Sequence, residues 1–433
     1  MKQKLVYQLT EDVQRNADLS RLMLMCRTEA QMVHVVCVGA GDAFINRYWP
    51  YLRTEVARNR MKLTVADVKT IEQLARERIE QATQSGEKKA RKTLRTLYGD
   101  FIHDLQGGVN LKYVNLEDEN DRNWYDHIRA DIVFILVPDD IHINKAKPWL
   151  GRSTLILIEK PYNRDLRQAQ EFENDLKSMV AHMGGDLPVT WVCPFDHYLA
   201  KIFQYEMKKT QDRLFEEIGT LIRMEFGILE SGPVELWRAH SLEAGMIYDL
   251  FSHVLAMLSI ELNLSSFRSD QIREIKVARH KNCPTSVDCE TFASFDFWLF
   301  DYHGRRVDVK GIVGKGVGNR DEKFLNLVGE HGLISCDLGT KRSGQTWIYK
   351  EKSGGKVKRP IYRIGKGHPE FLEAILGGTY IEQPVGGLTG DIAIEILSIL
   401  GAIRGRIPHG INEYDLKTDK HAIAARASKL SFS

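Results

Sequence analysis

The chain has 433 residues, of which 43% are hydrophobic and 27% charged, and its formal net charge is +2. This length predicts more than one domain, and the composition is that of a soluble globular protein. The near-neutral charge gives no reason to expect a nucleic acid or a membrane as partner. The six cysteines are scattered without a CxxC pair, so we expect no metal site and no disulfide framework, and a reducing cytoplasm fits.

The first recognisable element is a strand that runs into a glycine turn. Residues 1–31 read as a polar extension, and residues 32–38 (MVHVVCV) predict a strand that leads into the turn and then a helix. Strand, glycine turn and helix are the order of a dinucleotide-binding fingerprint, whose backbone approaches a pyrophosphate. Phe44 stands where the fingerprint has its third glycine, so the motif is incomplete. The turn residues are Gly39, Ala40, Gly41, Asp42 and Ala43.

A second strand, predicted over residues 61–68, carries Asp67 near its end. A carboxylate there can hold a ribose hydroxyl and would repel a 2′-phosphate, which favours NAD over NADP. Asp67 could also be an ordinary strand-end aspartate. The charged helical segment over residues 70–98 has the spacing of a solvated face, and no aromatic residues interleave with its basic half.

Two further buried strands end in polar residues that suit the same cleft. They are predicted over residues 130–138 and 155–158, and ligands bind at the carboxyl ends of such parallel strands. We therefore expect His142 near the nicotinamide and Lys160 in the cleft, although a solvated helix-start histidine and a plain strand-end lysine are the alternatives. The residues concerned are Pro138, His142, Glu159, Lys160 and Pro161.

A short strand is predicted at residues 189–192. It is followed by residues 196–201, DHYLAK, four of which have hydrogen-bonding side chains. His197, Tyr198 and Lys201 could bind an anion together. Asp196 could orient a histidine elsewhere or cap a helix.

The predicted helix over residues 241–258 carries Asp249 and His253 four residues apart, on one face. A carboxylate and an imidazole in an otherwise apolar helix need partners, which indicates a shared site. A core histidine that is satisfied by its neighbours is the alternative.

The remaining chain predicts a second sheet. Its signals are a hairpin over 292–300 and 305–313, short strands up to residue 350, an exposed basic loop at 352–359, and helices at 369–377 and 389–403. The predicted fold class is α/β, with a Rossmann dinucleotide-binding domain at 32–165. An α+β domain at 166–433 is expected to contain a large, mostly antiparallel open sheet, and its last helices to pack back on the Rossmann domain.

Three stretches resemble the oxidoreductases of the glucose–fructose oxidoreductase, inositol dehydrogenase and MocA type. They are PDDIH, GMIYDLFSH and PVGGLTGDIAIEILSIL. Two others, EKPYNRDL and DHYLAK, resemble more closely the EKPFGRDL and DHYLGK of glucose-6-phosphate dehydrogenase.

The resemblance implies NAD- or NADP-dependent oxidation of a sugar hydroxyl, above all of a sugar 6-phosphate such as glucose 6-phosphate to the lactone. Lys160 would contact the reacting hydroxyl, and His253 would be the general base. Asp196 would pair with His253, and Asp249 would contact the sugar or support the base. The phosphate would be held by His197, Tyr198 and Lys201. By family analogy the chain would form a homodimer or homotetramer through the C-terminal sheet.

Two alternatives stay open. The spacing of Asp249 and His253 is that of the wider superfamily, so the enzyme could oxidise another ring carbon or an unphosphorylated sugar. A non-catalytic regulator that senses a cofactor or sugar would need the cleft but not both Lys160 and His253.

Overall fold

The structure is a computed structural model with two sheets, one of seven and one of ten strands. It describes residues 32–84, 88–108, 110–183, 189–192, 218–230, 247–259, 261–280, 290–315, 322–337, 346–352, 355–364, 388–407 and 412–414.

The first sheet is doubly wound. Six of its strands run parallel in the order β6-β5-β4-β1-β2-β3, and the edge strand Leu388–Thr389 pairs antiparallel with β6. The strand order reverses between β1 and β4, where open α/β sheets form their ligand crevice. The strands are β1 (Val33–Val38), β2 (Met61–Asp67), β3 (Leu111–Asn115), β4 (Ala130–Ile135), β5 (Ser153–Ile158) and β6 (Val189–Val192).

Alternate residues of the central strands enter two hydrophobic cores. Val35 and Cys37 pack in one core with the first helices, whereas Val36 and Val38 pack in the other, which continues into the second domain. A strand buried on both faces needs this uninterrupted apolar sequence. The helices are α1 (Trp49–Ala57), α2 (Ile71–Gln84), α3 (Lys88–Gly107), α4 (Glu119–His127), α5 (His142–Ala146) and α6 (Leu166–Met183).

Phe44 occupies the position of the third glycine in the dinucleotide-binding fingerprint, and the local packing accommodates its large side chain. The helix after the glycine turn begins with a π-helical turn, Phe44–Tyr48, that continues into α1. Phe44 is fully buried, and its ring meets that of Phe101 edge-on at 5.5 Å between centroids. A glycine would let the helix lie close to the strand. Here an aromatic cluster fills that space.

The second sheet is mixed but mostly antiparallel, as predicted. Its path is β15-β14-β13-β12-β7-β11-β10-β9, followed by the edge strand Asn412–Tyr414, and β8 pairs with β10. Only β7–β11 and the pairing of β9 with Asn412–Tyr414 are parallel among the described strands. The strands are β7 (Leu221–Glu230), β8 (Leu262–Asn263), β9 (Ile272–His280), β10 (Phe292–Asp301), β11 (Arg306–Lys315), β12 (Glu322–Gly329), β13 (Gly332–Asp337), β14 (Thr346–Lys352) and β15 (Gly355–Ile364).

The predicted basic loop at 352–359 is wrong. Gly355–Ile364 is strand β15, which pairs antiparallel with β14. Among the described strands β15 lies at one edge of the sheet, and charged side chains are common on edge strands because they discourage pairing with other chains. The helix predicted at 369–377 lies outside the described residues.

Two helices connect the second sheet to the first. A π-helical turn, Ile247–Phe251, continues into α7 (Ser252–Leu258), and the C-terminal helix is α8 (Gly390–Arg404). Asp391 at the start of α8 pairs with Lys177 of α6 at 2.6 Å. No helix within the described ranges is both long and apolar enough to cross a membrane.

Candidate active site

A cavity of about 480 Å³ lies at the carboxyl ends of β1, β2, β4 and β5, and the helical turn Ile247–Phe251 closes one side of it. It therefore occupies the crevice at the point where the strand order reverses. Nine of the ten residues predicted to bind the cofactor line it, together with Asp249. Those nine are Gly39, Gly41, Asp42, Ala43, Asp67, Pro138, His142, Lys160 and Pro161.

The two glycines of the turn have different roles. Gly39 has a φ of +101°, and a Cβ there would lie 2.8 Å from the backbone carbon and oxygen of Leu136. The fold itself therefore requires glycine at this position. A Cβ on Gly41 would meet only Arg78 Nη2, at 3.5 Å, so the space in front of Gly41 is open towards the cavity.

Asp67 braces the glycine turn from the end of β2. Its Oδ2 accepts a hydrogen bond from the Ala40 N–H at 2.8 Å, and its Oδ1 accepts one from the Lys69 N–H at 3.1 Å. A carboxylate oxygen has two lone pairs, so these bonds leave acceptor capacity for a ribose hydroxyl. Both sequence interpretations of Asp67, as a strand-end aspartate and as a ribose ligand, fit this geometry.

Arg78 is a cavity residue that sequence reasoning does not identify. It lies on α2, lines the cavity beside Gly41, and its Nη1 donates to Gln81 Oε1 at 3.2 Å. The charge pattern indicates a solvated face for the whole segment. The usable signal is the position of Arg78 on the helix that directly follows β2.

Glu159 is the one predicted cofactor residue that does not line the cavity. Its buried carboxylate accepts a hydrogen bond from the Tyr48 hydroxyl at 3.0 Å, and Arg47 Nη1 lies 4.0 Å away. Glu159 thus ties the end of β5 to the π-helical turn after β1.

His142 is buried, with 1% of its surface exposed, and not a solvated helix-start residue. Its Nδ1 lies 2.8 Å from the carbonyl oxygen of Pro161, and its Nε2 lies 2.8 Å from that of Val137. Carbonyl oxygens only accept hydrogen bonds, so whichever ring nitrogen carries the N–H can donate to one of these two loops while the other nitrogen lies against the second. His142 therefore links the loop after β4 to the loop after β5.

Lys160 and Asp249 form an ion pair across the cavity wall. The Lys160 ammonium contacts Asp249 Oδ1 and also donates to the Asp249 backbone oxygen at 3.0 Å. The two side chains are only 10% and 22% exposed, so little water competes for these contacts. The pair joins the end of β5 to the helix of the second domain.

His253 lies in the first turn of α7, four residues after Asp249, and is 7% exposed. It is not among the residues that line the described cavity. The DHYLAK motif, with its four predicted site residues Asp196, His197, Tyr198 and Lys201, lies outside the described residues.

Comparison with known proteins gives similarity of structure but not of sequence. No family model matches the chain, and no significant relative is found among curated proteins. UDP-N-acetylglucosamine 3-dehydrogenase GnnA from Acidithiobacillus ferrooxidans has a similar structure, with a TM-score of 0.54 and 15% identity over 87% of this chain and 98% of that one.

Two other solved structures are similar to the same extent. KijD10, a 3-ketoreductase from Actinomadura kijaniata in complex with NADP and TDP-benzene, has a TM-score of 0.57 and 13% identity over 89% of this chain and 99% of its own. Glucose-6-phosphate 1-dehydrogenase from Mycobacterium avium has a TM-score of 0.55 and 14% identity over 89% and 95%. The chain thus has the two-domain fold of these oxidoreductases, and the comparisons do not support a special closeness to glucose-6-phosphate dehydrogenase.

We expect the two glycines of the turn to respond differently to the same substitution. Gly39→Ala should lower the free energy of unfolding by about 2 kcal/mol or more, because the methyl group meets Leu136 backbone and the φ is unfavourable. Gly41→Ala is the matched control and should unfold like the wild type. Urea unfolding of the three proteins measures the difference, and equal stabilities would contradict the tight packing at Gly39.

Proposed function

We propose that this protein is an NAD(P)-dependent oxidoreductase that oxidises a sugar hydroxyl. One observation carries the proposal: a single cavity is lined by the glycine turn on one side and by the Lys160–Asp249 pair on the other. A turn suited to a dinucleotide and a group suited to a reacting alcohol therefore share one cavity.

The residues around the cavity fit a nicotinamide dinucleotide. The open space before Gly41 suits a pyrophosphate, and the carboxylate of Asp67 has acceptor capacity for a ribose. Asp67 favours NAD, whereas Arg78 adds a cation beside the glycine turn. The bound nicotinamide supplies a hydride acceptor.

Three residues would act in the oxidation of the sugar hydroxyl. Lys160 would donate a hydrogen bond to the reacting oxygen and stabilise the negative charge that develops there. Asp249 holds the Lys160 ammonium in position. His253 would take the hydroxyl proton, since histidine side chains titrate near neutral pH.

The most specific form of the proposal is oxidation of a sugar 6-phosphate such as glucose 6-phosphate at its anomeric carbon. Its support is the pair of motifs EKPYNRDL and DHYLAK. In this form His197, Tyr198 and Lys201 hold the phosphate, and Asp196 pairs with His253. A dimer or tetramer through the large sheet is proposed by analogy only.

A second candidate is oxidation at another ring carbon. It is supported by the spacing of Asp249 and His253, and by the similarity to a UDP-N-acetylglucosamine 3-dehydrogenase and to a 3-ketoreductase in complex with a TDP compound. A nucleotide-linked sugar is the corresponding substrate class.

A substrate screen tests the proposal directly. The purified protein is mixed with NAD or NADP and with free sugars, sugar 6-phosphates or nucleotide-linked sugars, and the absorbance of the reduced nicotinamide is followed. We expect turnover with a sugar 6-phosphate, while turnover confined to nucleotide-linked sugars would select the second candidate. Cofactor binding without turnover across the panel would instead indicate a sensor.

His253→Asn should reduce kcat by about 10²- to 10⁴-fold, because the variant lacks a general base. Its Kd for reduced cofactor, measured by fluorescence, should stay unchanged because His253 does not line the described cavity. His127→Asn, at an exposed position on α4, is the control. Undiminished turnover in His253→Asn would remove the assigned base.

Asp67→Asn should tighten NADPH binding relative to NADH binding by about 10-fold, because a unit charge near the 2′-phosphate is removed. Asparagine keeps an oxygen that can accept from the Ala40 N–H, so the glycine turn stays braced. Glu80→Gln, an exposed carboxylate on α2, controls for long-range charge. An unchanged ratio of the two Kd values would separate Asp67 from the ribose.

A further inference from the structure

Glu290 is a fully buried carboxylate that has no part in the chemistry proposed above. It precedes β10 and has 0% of its surface exposed. Its Oε1 accepts a hydrogen bond from the Ile247 N–H at 3.0 Å, and its Oε2 pairs with Arg404. Both carboxylate oxygens thus have a partner, one on each of two different helices.

A buried carboxylate such as that of Glu290 needs partners that compensate for the hydration it has lost. Removing a carboxylate from water raises the pKa of Glu290, and the Arg404 guanidinium and the Ile247 N–H oppose that shift. A buried charge with partners on two elements fixes the geometry of both, because losing either contact leaves the charge uncompensated in an apolar environment.

The Ile247 contact places Glu290 against the segment that reaches the cavity. Ile247 begins the π-helical turn that contains Tyr248 and Asp249, both of which line the cavity. Glu290 therefore holds the backbone two residues before Asp249, the residue that pairs with Lys160.

The Arg404 contact brings in the C-terminal helix. Arg404 is the last residue of α8, and α8 packs against α6 and α7 in the shared hydrophobic core. The backbone at Ile247 is thus attached, through Glu290, to an element more than a hundred residues away in sequence. The positions of Asp249 and of α8 are linked through one carboxylate.

We propose that Glu290, held by Arg404, is a positioning residue that fixes the backbone at Ile247 and so aligns Asp249 with Lys160. The proposal rests on the proposed function, since alignment of this pair matters to turnover only if the pair meets the substrate. It adds a role for α8, whose last residue would be required for a competent site.

Glu290→Gln tests the proposal. Glutamine keeps an oxygen for the Ile247 N–H, but its amide has no charge for Arg404. Glu225→Gln is the matched control, because Glu225 is also buried and paired with an arginine, Arg223, at 2.8 Å, and its partners Arg223 and Asn326 belong to β7 and β12 rather than to the Ile247–Phe251 turn. We expect kcat of Glu290→Gln to fall on the order of 10- to 100-fold with the cofactor Kd unchanged, as for a small misplacement of reacting groups. Glu225→Gln should keep the wild-type kcat.

Amide hydrogen exchange tests the positioning role of Glu290 independently of turnover. In Glu290→Gln, the amides of residues 247–258 should exchange faster, while those of β1 and β2 keep the wild-type rate. If the wild type shows no turnover with any sugar, the proposed function fails, and this selective change would still support the positioning role. Equal loss of protection throughout the chain, or a kcat equal to that of Glu225→Gln, would overturn it.

A second pair of variants covers the case in which Glu290→Gln does not fold. Arg404→Lys keeps the positive charge and should retain most of the turnover and protection. Arg404→Gln removes the charge and should show the same selective loss at residues 247–258. Identical behaviour of the two Arg404 variants would contradict the proposal.

Discussion

The arrangement of the site depends on the ion pair between Lys160 and Asp249. Lys160 comes from the end of β5 in the parallel sheet, and Asp249 from the helical turn that packs on the large sheet. With one side chain 10% and the other 22% exposed, either charge alone would lose hydration without compensation. At this point the two domains meet, and the crevice of the parallel sheet and the helical turn bearing Asp249 are walls of one cavity.

The residues immediately before and after Lys160 in the sequence, Glu159 and Pro161, both make contacts with other segments. Before it, the carboxylate of Glu159 accepts from Tyr48 in the π-helical turn after β1. After it, the carbonyl oxygen of Pro161 lies 2.8 Å from Nδ1 of His142, the first residue of α5. The backbone that presents the lysine is thus attached to the segments that follow β1 and β4, so few conformations remain for its ammonium group. This explains why two residues predicted to contact the cofactor, Glu159 and His142, also fix the position of the lysine.

The parallel sheet and the position of Lys160 could be predicted because their signals are local. Buried apolar runs mark β4 and β5, and a proline after a lysine marks the end of β5. Other features have no local signal. The partners of Glu290 lie 43 and 114 residues away, so no pattern near it indicates its role. The sequence indicates a solvated Arg78 because a charged helix has the same composition whether or not one side chain faces a cavity. Strand β15 escapes prediction for a related reason, since charge is tolerated at a sheet edge.

The charges around the cavity limit what the site can attract by itself. Five cations line it, Lys69, Arg78, Lys145, Lys160 and Arg164, against four anions, Asp42, Asp67, Asp139 and Asp249. Several are already paired: Lys160 with Asp249, Arg164 with Asp139, and Lys69 with Glu77. With so little net charge, a pyrophosphate would depend on the backbone N–H groups of the glycine turn and on Arg78 rather than on a general positive field. A phosphorylated sugar would need its own cations, which in our proposal come from residues 196–201. Specificity for a phosphate would then be separable from binding of the cofactor.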